Sequence, residues 1–119
     1  MKAIVTCSGV SNTGKLTTQA AVALLRHDPD SLEWIRAGAE PGRLLQTVET
    51  ADQVIVINGC ADCCAKKKLQ ALGVFTGREV IATDLGVVKN GMVDPEYAEI
   101  DLVVQAVREA LNRGDEEVS

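Results

Sequence analysis

Apolar residues along the chain follow two alternating rhythms. Ala3 to Thr6 is a short apolar stretch. Leu16, Ala20, Ala21, Leu24 and Leu25 then recur at helical spacing until Asp28-Pro29 breaks the pattern. Leu32 to Arg36 has the length of a strand, and Pro41 opens a second helical stretch carrying Leu44, Leu45 and Val48. Val54-Ile55-Val56-Ile57 is a continuous β-branched run, as expected of a strand buried on both faces of a parallel sheet. Asn58-Gly59 ends that run, and Ala61, Ala65, Leu69 and Leu72 line a third helix. Glu79 to Thr83 reads as a fourth strand and Gly86 to Met92 as a loop. In the last helix Ile100, Val103, Val104, Val107 and Leu111 form the apolar stripe. Asp94 suits its cap, Pro95 its first turn and Gly114 its end.

Strand and helix thus alternate four times, with no repeat and no internal linker. That order predicts an α/β fold: a single-domain, parallel, four-stranded sheet with helices on both faces. The expected strand order is 2-1-3-4, of the flavodoxin/Rossmann kind. Residues 1–114 form a single α/β domain in this reading, and residues 115–119 an acidic, flexible tail.

Composition narrows the partners. A chain of 119 residues supports one hydrophobic core, and with aromatics at only 3% that core must be aliphatic. The net charge of −5 argues against nucleic acid or an acidic membrane surface as a partner, since either would call for a basic face. The first apolar run is too short for a signal-peptide core or a membrane span, so a cytoplasmic location is expected. Four cysteines in a cytosolic chain point to metal ligands or redox thiols before structural disulfides.

In the predicted topology, ligands bind beyond the carboxyl ends of the strands where the strand order reverses, between strands one and three. Cys7 ends strand one, and Cys60 follows strand three. Cys60, Cys63 and Cys64 are spaced i, i+3, i+4, which on a helix puts three thiols on one face of its first turn. A helix start favours the thiolate, and thiolates are what zinc binds. Cys60-Ala61-Asp62-Cys63 also matches the C-x-x-C of dithiol redox proteins, but thiols at 64 and 7 are surplus to that chemistry. Four cysteines also suffice for an iron–sulfur cluster. The ordinary alternative is that cysteine serves as a small buried apolar residue, which fits Cys7 alone better than three cysteines in five residues.

The stretch Gly9-Val10-Ser11-Asn12-Thr13-Gly14-Lys15 matches G-x-x-x-x-G-K, most of a phosphate loop. Leu16 stands where a magnesium-binding Ser or Thr belongs, and Asn58 where the second strand of a nucleotide hydrolase would place an Asp. Nucleotide binding is therefore a minor alternative. The loop is better read as a glycine-rich strand-to-helix turn whose Ser and Thr residues cap the first helix, with N–H groups left able to hold a small anion. Candidate anion-binding or supporting residues are Ser8, Gly9, Asn12, Lys15, Asn58 and Lys89. Lys66-Lys67-Lys68 reads as a solvated helix face, and His27, the only histidine, lies at the far end of the first helix from the cysteines.

"CSG" after the first strand, "VINGCADCCAKKKL" after the third and "TDLGVVKNG" after the fourth together resemble the DGC domain family, from Cys7 to about Lys89. These are small prokaryotic proteins regarded as zinc-binding because of four cysteines. By that resemblance Cys7 matches the family's first cysteine, Cys60 that of the naming Asp-Gly-Cys motif, Cys64 the one four residues on, and Lys89 the lysine after the Leu-Gly-Val turn. Two positions depart from the pattern. Asn58 replaces the motif's Asp, and the family's mid-chain cysteine has no counterpart between Leu32 and Gly38. Two ligand sets stay open: Cys63 as the fourth thiolate, or Cys7, Cys60 and Cys64 with a water or nearby oxygen. The implied function is a zinc-binding protein with an accessory or metal-handling role, and with a small anionic or thiol ligand as the expected partner. A thiol redox or thiol-transfer protein is the alternative. Oligomeric state is not constrained.

Overall fold

The computed structural model describes residues 1–7, 12–59, 63–74, 78–88, 91 and 94–118, with side chains in the last helix described to residue 112. The elements run β1 (Lys2–Thr6), α1 (Asn12–His27), β2 (Leu32–Arg36), α2 (Pro41–Thr50), β3 (Gln53–Asn58), α3 (Cys64–Ala71), β4 (Glu79–Ile81), a 3-10 turn (Ala82–Leu85) and α4 (Tyr97–Val118). The four strands form one parallel sheet in the order β2-β1-β3-β4, the order expected from the sequence.

Strand alternation explains the unbroken β-branched run. Ile55 and Ile57 point into the same cluster as Ile4, Leu16, Ala20, Leu24, Val103 and Val107, which joins the sheet to α1 and α4. Val56, between them, joins Val5, Leu44, Val48, Ala65 and Leu69 on the opposite face, under α2 and α3. Each face is apolar because each is covered. Fully burying one such aliphatic side chain is worth roughly 1.5–3 kcal/mol. The chain turns one way from β1 to β2 and then crosses back over β1 to reach β3. The crevice at the carboxyl ends of β1 and β3 is therefore the reversal point.

Several boundaries differ from the expected ones, each for a local reason. α1 starts at Asn12, so Thr13, Gly14 and Lys15 form its first turn and do not belong to the preceding loop. β4 is three residues long, because the backbone coils into the 3-10 turn at Ala82 and leaves it at Gly86 with a positive φ of 96°. Asp94 does not cap α4. That helix starts at Tyr97, where the Glu99 carboxylate accepts the Glu96 N–H at 2.9 Å, and Asp94 instead meets Lys15. α4 also continues through Gly114. Among the described residues, no helix is long and apolar enough to cross a membrane.

Candidate functional site

Cys7 follows β1 directly and is held by strand geometry on both sides. Its N–H donates to the Ile57 carbonyl at 3.3 Å, which extends the β1–β3 ladder by one residue. On the other side the Ala37 N–H donates to the Thr6 carbonyl at 2.9 Å. The Thr17 hydroxyl sits over this turn. Its proton goes to the Gly14 carbonyl at 2.8 Å, and the Cys7 carbonyl at 3.4 Å is a secondary contact. Cys7 is half-buried.

Asn58 ends β3 with its side chain fully buried. Its Oδ1 accepts the Lys66 N–H at 3.4 Å, and its Nδ2 donates to Glu79 Oε2 at 3.3 Å. The Lys66 ammonium lies 3.5 Å from Glu79 Oε1. Lys66 is the third residue of α3, so Asn58 reaches across the intervening loop to satisfy an N–H that helix starts leave unpaired. The residue that would normally do this is Cys63, at the N-cap, and it makes no side-chain cap bond. Asn58 thus ties the end of β3 directly to the first turn of α3.

Cys63 has φ 50° and ψ 48°, and it is the only non-glycine with positive φ among the described residues. This left-handed backbone costs a non-glycine residue on the order of 1–2 kcal/mol. It takes Cys63 out of the expected regular first turn, because Cys64 starts the helix and Cys63 precedes it. Of the two adjacent cysteines, Cys63 is half-buried and Cys64 exposed. Cys60 lies outside the described residues.

The start of α1 completes the rim. A Cβ on Gly59 would stand 2.8 Å from both the carbonyl carbon and the carbonyl oxygen of Thr13, and 3.1 Å from the Gly14 nitrogen. Only glycine lets the end of β3 come this close to the first turn of α1. The segment after β4 then crosses the same turn. Asn12 donates through Nδ2 to the Val88 carbonyl and through its N–H to the Gly91 carbonyl, both at 2.8 Å. Lys15 pairs with Asp94 at 3.2 Å. So the backbone N–H of Asn12 and the charge of Lys15, two of the candidate anion contacts, are already engaged within the chain. Ser8, Gly9 and Lys89 lie outside the described residues.

Among the described residues, no group of three or more His, Cys, Asp or Glu side chains is arranged to hold a metal ion. The described donors are Cys7 on one side of the reversal point and Cys63 and Cys64 on the other. His27 is exposed at the opposite end of α1. The sequence reading missed Glu79 and Gly59. A carboxylate opening a short edge strand and a glycine after a strand are ordinary features, and only the fold reveals what they touch.

The model of the DGC domain matches residues 3–107, most of the chain, and the protein belongs to that family. No curated protein and no solved structure gives a significant match.

Proposed function

We propose that this DGC domain protein is a zinc-binding protein that holds the metal between Cys7 and the cysteines before and at the start of α3. The observation that supports this most is the register at the reversal point. The Cys7 N–H bonds the Ile57 carbonyl, so Cys7 lies beside the end of the strand that leads into Cys60, Cys63 and Cys64. The donor set fits zinc, since thiolates are its preferred ligands in structural sites. The left-handed turn at Cys63 is the kind of distortion that neighbouring cysteines need before both can face one ion. Bound zinc supplies either a cross-link between the strand ends or, with three thiolates, a Lewis-acid position for water or a thiol ligand. The chain's own groups do the rest. Asn58 fixes the start of α3, Gly59 sets the distance between β3 and α1, and Asn12 holds the post-β4 segment over the rim. A metal-handling role in the cytosol follows from this reading.

A second reading is thiol exchange, and the exposure of Cys64 beside half-buried Cys63 favours it. One preparation separates the two. The protein is purified anaerobically, bound metals are measured, and reactive thiols are counted before and after chelation. One zinc per chain with thiols that become reactive only on chelation supports the proposal. Absence of metal together with a reversible disulfide favours exchange, and iron with visible absorbance indicates a cluster.

A further inference from the structure

Next to the rim, on the outer side of β2, lies an open cavity of about 520 Å³ lined by Trp34, Ile35, Arg36, Gly38, Ala39 and Arg43. Two of these six residues are arginines and none is acidic. Neither guanidinium has a carboxylate partner or a hydrogen bond among the described residues. Two guanidinium groups lining one cavity repel each other, and a bound anion relieves that repulsion.

The two cations are set up differently. Arg36 lies over the Trp34 ring, 5.3 Å from its centroid, and the indole N–H donates to the Thr6 hydroxyl at 2.9 Å. Ring and guanidinium are thereby held in place before any ligand arrives. Arg43 sits in the first turn of α2, at the positive end of a helix, where an acidic residue is favoured and a basic one is not. Glu40 takes up the local backbone demand by accepting from Gly42 and Arg43 at 2.9 and 3.0 Å through its two carboxylate oxygens. The Arg43 side chain contributes nothing visible to the fold, and its position runs against local preference, the pattern expected of a residue kept for binding.

We propose that this cavity binds a small organic oxyanion, a phosphate monoester or a carboxylate, with Arg36 and Arg43 gripping the anionic group. The volume falls within the range of small-molecule sites and exceeds what an inorganic ion fills. None of its described lining residues is a cysteine, and the site stands independently of the zinc proposal, although Thr6 links its floor to Cys7.

Trp34 is the only tryptophan of the chain, so its fluorescence reports on the cavity directly. Phenyl phosphate, benzoate and inorganic phosphate are titrated separately into the full-length protein, with and without prior chelation. The expected result is a saturable change with phenyl phosphate or benzoate that persists after chelation. The stronger of the two identifies the source of the charge, and inorganic phosphate binds more weakly than phenyl phosphate. Arg43→Ala weakens binding about tenfold or more, and Arg43→Lys recovers part of the loss because it restores charge without the fork. Both variants keep the wild-type circular dichroism, since Arg43 is exposed. The proposal is overturned by the absence of saturable change with either organic probe, by equal affinity in Arg43→Ala, or by signal that disappears on chelation.

Discussion

Replacing Gly59 with alanine tests whether the close approach of β3 to α1 builds the rim. The added Cβ meets two backbone atoms of Thr13 at 2.8 Å, against an ordinary carbon contact of about 3.5–4.0 Å, so the elements must part by roughly 0.7 Å or more. The obstacle is backbone and cannot rotate away. α1 is also anchored by Leu16, Ala20 and Ala21, all fully buried, so moving its first turn strains the packing behind it. Overpacking of this kind costs typically 1–3 kcal/mol. Alanine recovers about 0.4–1 kcal/mol by restricting the unfolded chain, because Gly59 does not need a positive φ. The net loss is on the order of 1–2 kcal/mol, which at a urea slope of about 2 kcal/mol/M lowers the unfolding midpoint by about 0.5–1 M. Gly42→Ala is the control. The nearest neighbours of its Cβ are the Glu40 carboxylate oxygens, at 3.2 and 3.3 Å, at the end of an exposed side chain, and helix propensity favours alanine there. Urea unfolding of chelated protein, followed by circular dichroism, should show Gly59→Ala clearly destabilised and Gly42→Ala at or above wild type. Equal midpoints for Gly59→Ala and wild type would refute the reasoning.

Three further outcomes are expected. Asn58→Asp removes the donor that satisfies Glu79 Oε2 and sets a new carboxylate, at a fully buried position, against that of half-buried Glu79, costing about 1–3 kcal/mol at pH 7. The deficit should shrink as pH falls and the new carboxyl takes up a proton, and adding Glu79→Gln should restore most of it. Persistence of the full deficit in that double variant would remove Glu79 from the explanation. Hydrogen bonds from the Gly42 and Arg43 N–H groups hold the Glu40 carboxyl below its usual value of 4.5. A depressed folded value contributes stability above the unfolded value that is lost as pH falls through the folded one. Glu40→Gln should therefore be less stable than wild type at neutral pH, with the gap closing below about pH 4.5 in thermal unfolding scans, and a gap independent of pH would contradict the cap. Zinc binding to thiolates releases protons, so affinity measured by chelator competition should fall steadily between pH 8 and pH 6, and a flat profile would exclude thiolate ligands.

The sheet was legible in the sequence because its signal is redundant. Val54 to Ile57 needs cover on both faces, and the four strand–helix alternations leave few ways to supply it. The position of Cys7 beside the end of β3 followed from that topology alone. Other features depend on contacts that no local pattern encodes. Asp94 has the residue type of a cap, yet Lys15, far off in sequence, takes it, and α4 starts two residues past Pro95. The spacing of Cys60, Cys63 and Cys64 suggested one regular turn, but Asn58 caps α3 from a distance and leaves Cys63 outside the helix in a left-handed conformation. Gly9 to Lys15 looked like a phosphate loop because glycine, threonine and lysine serve equally well in a tight strand-to-helix turn. The structure shows Lys15 paired and the Asn12 N–H occupied. Arg36 and Arg43 carry no motif, and only the path of the chain around β2 brings them to one cavity.

The central claim is that Cys7, from the first strand, shares a metal with the cysteines that follow the third. Zinc content of anaerobically purified wild type and Cys7→Ser, with circular dichroism confirming the fold of each, tests it most directly. One zinc per chain is expected in wild type, with most of it lost in Cys7→Ser. Full zinc occupancy in Cys7→Ser would contradict it, because the metal would then belong to the α3 cysteines alone.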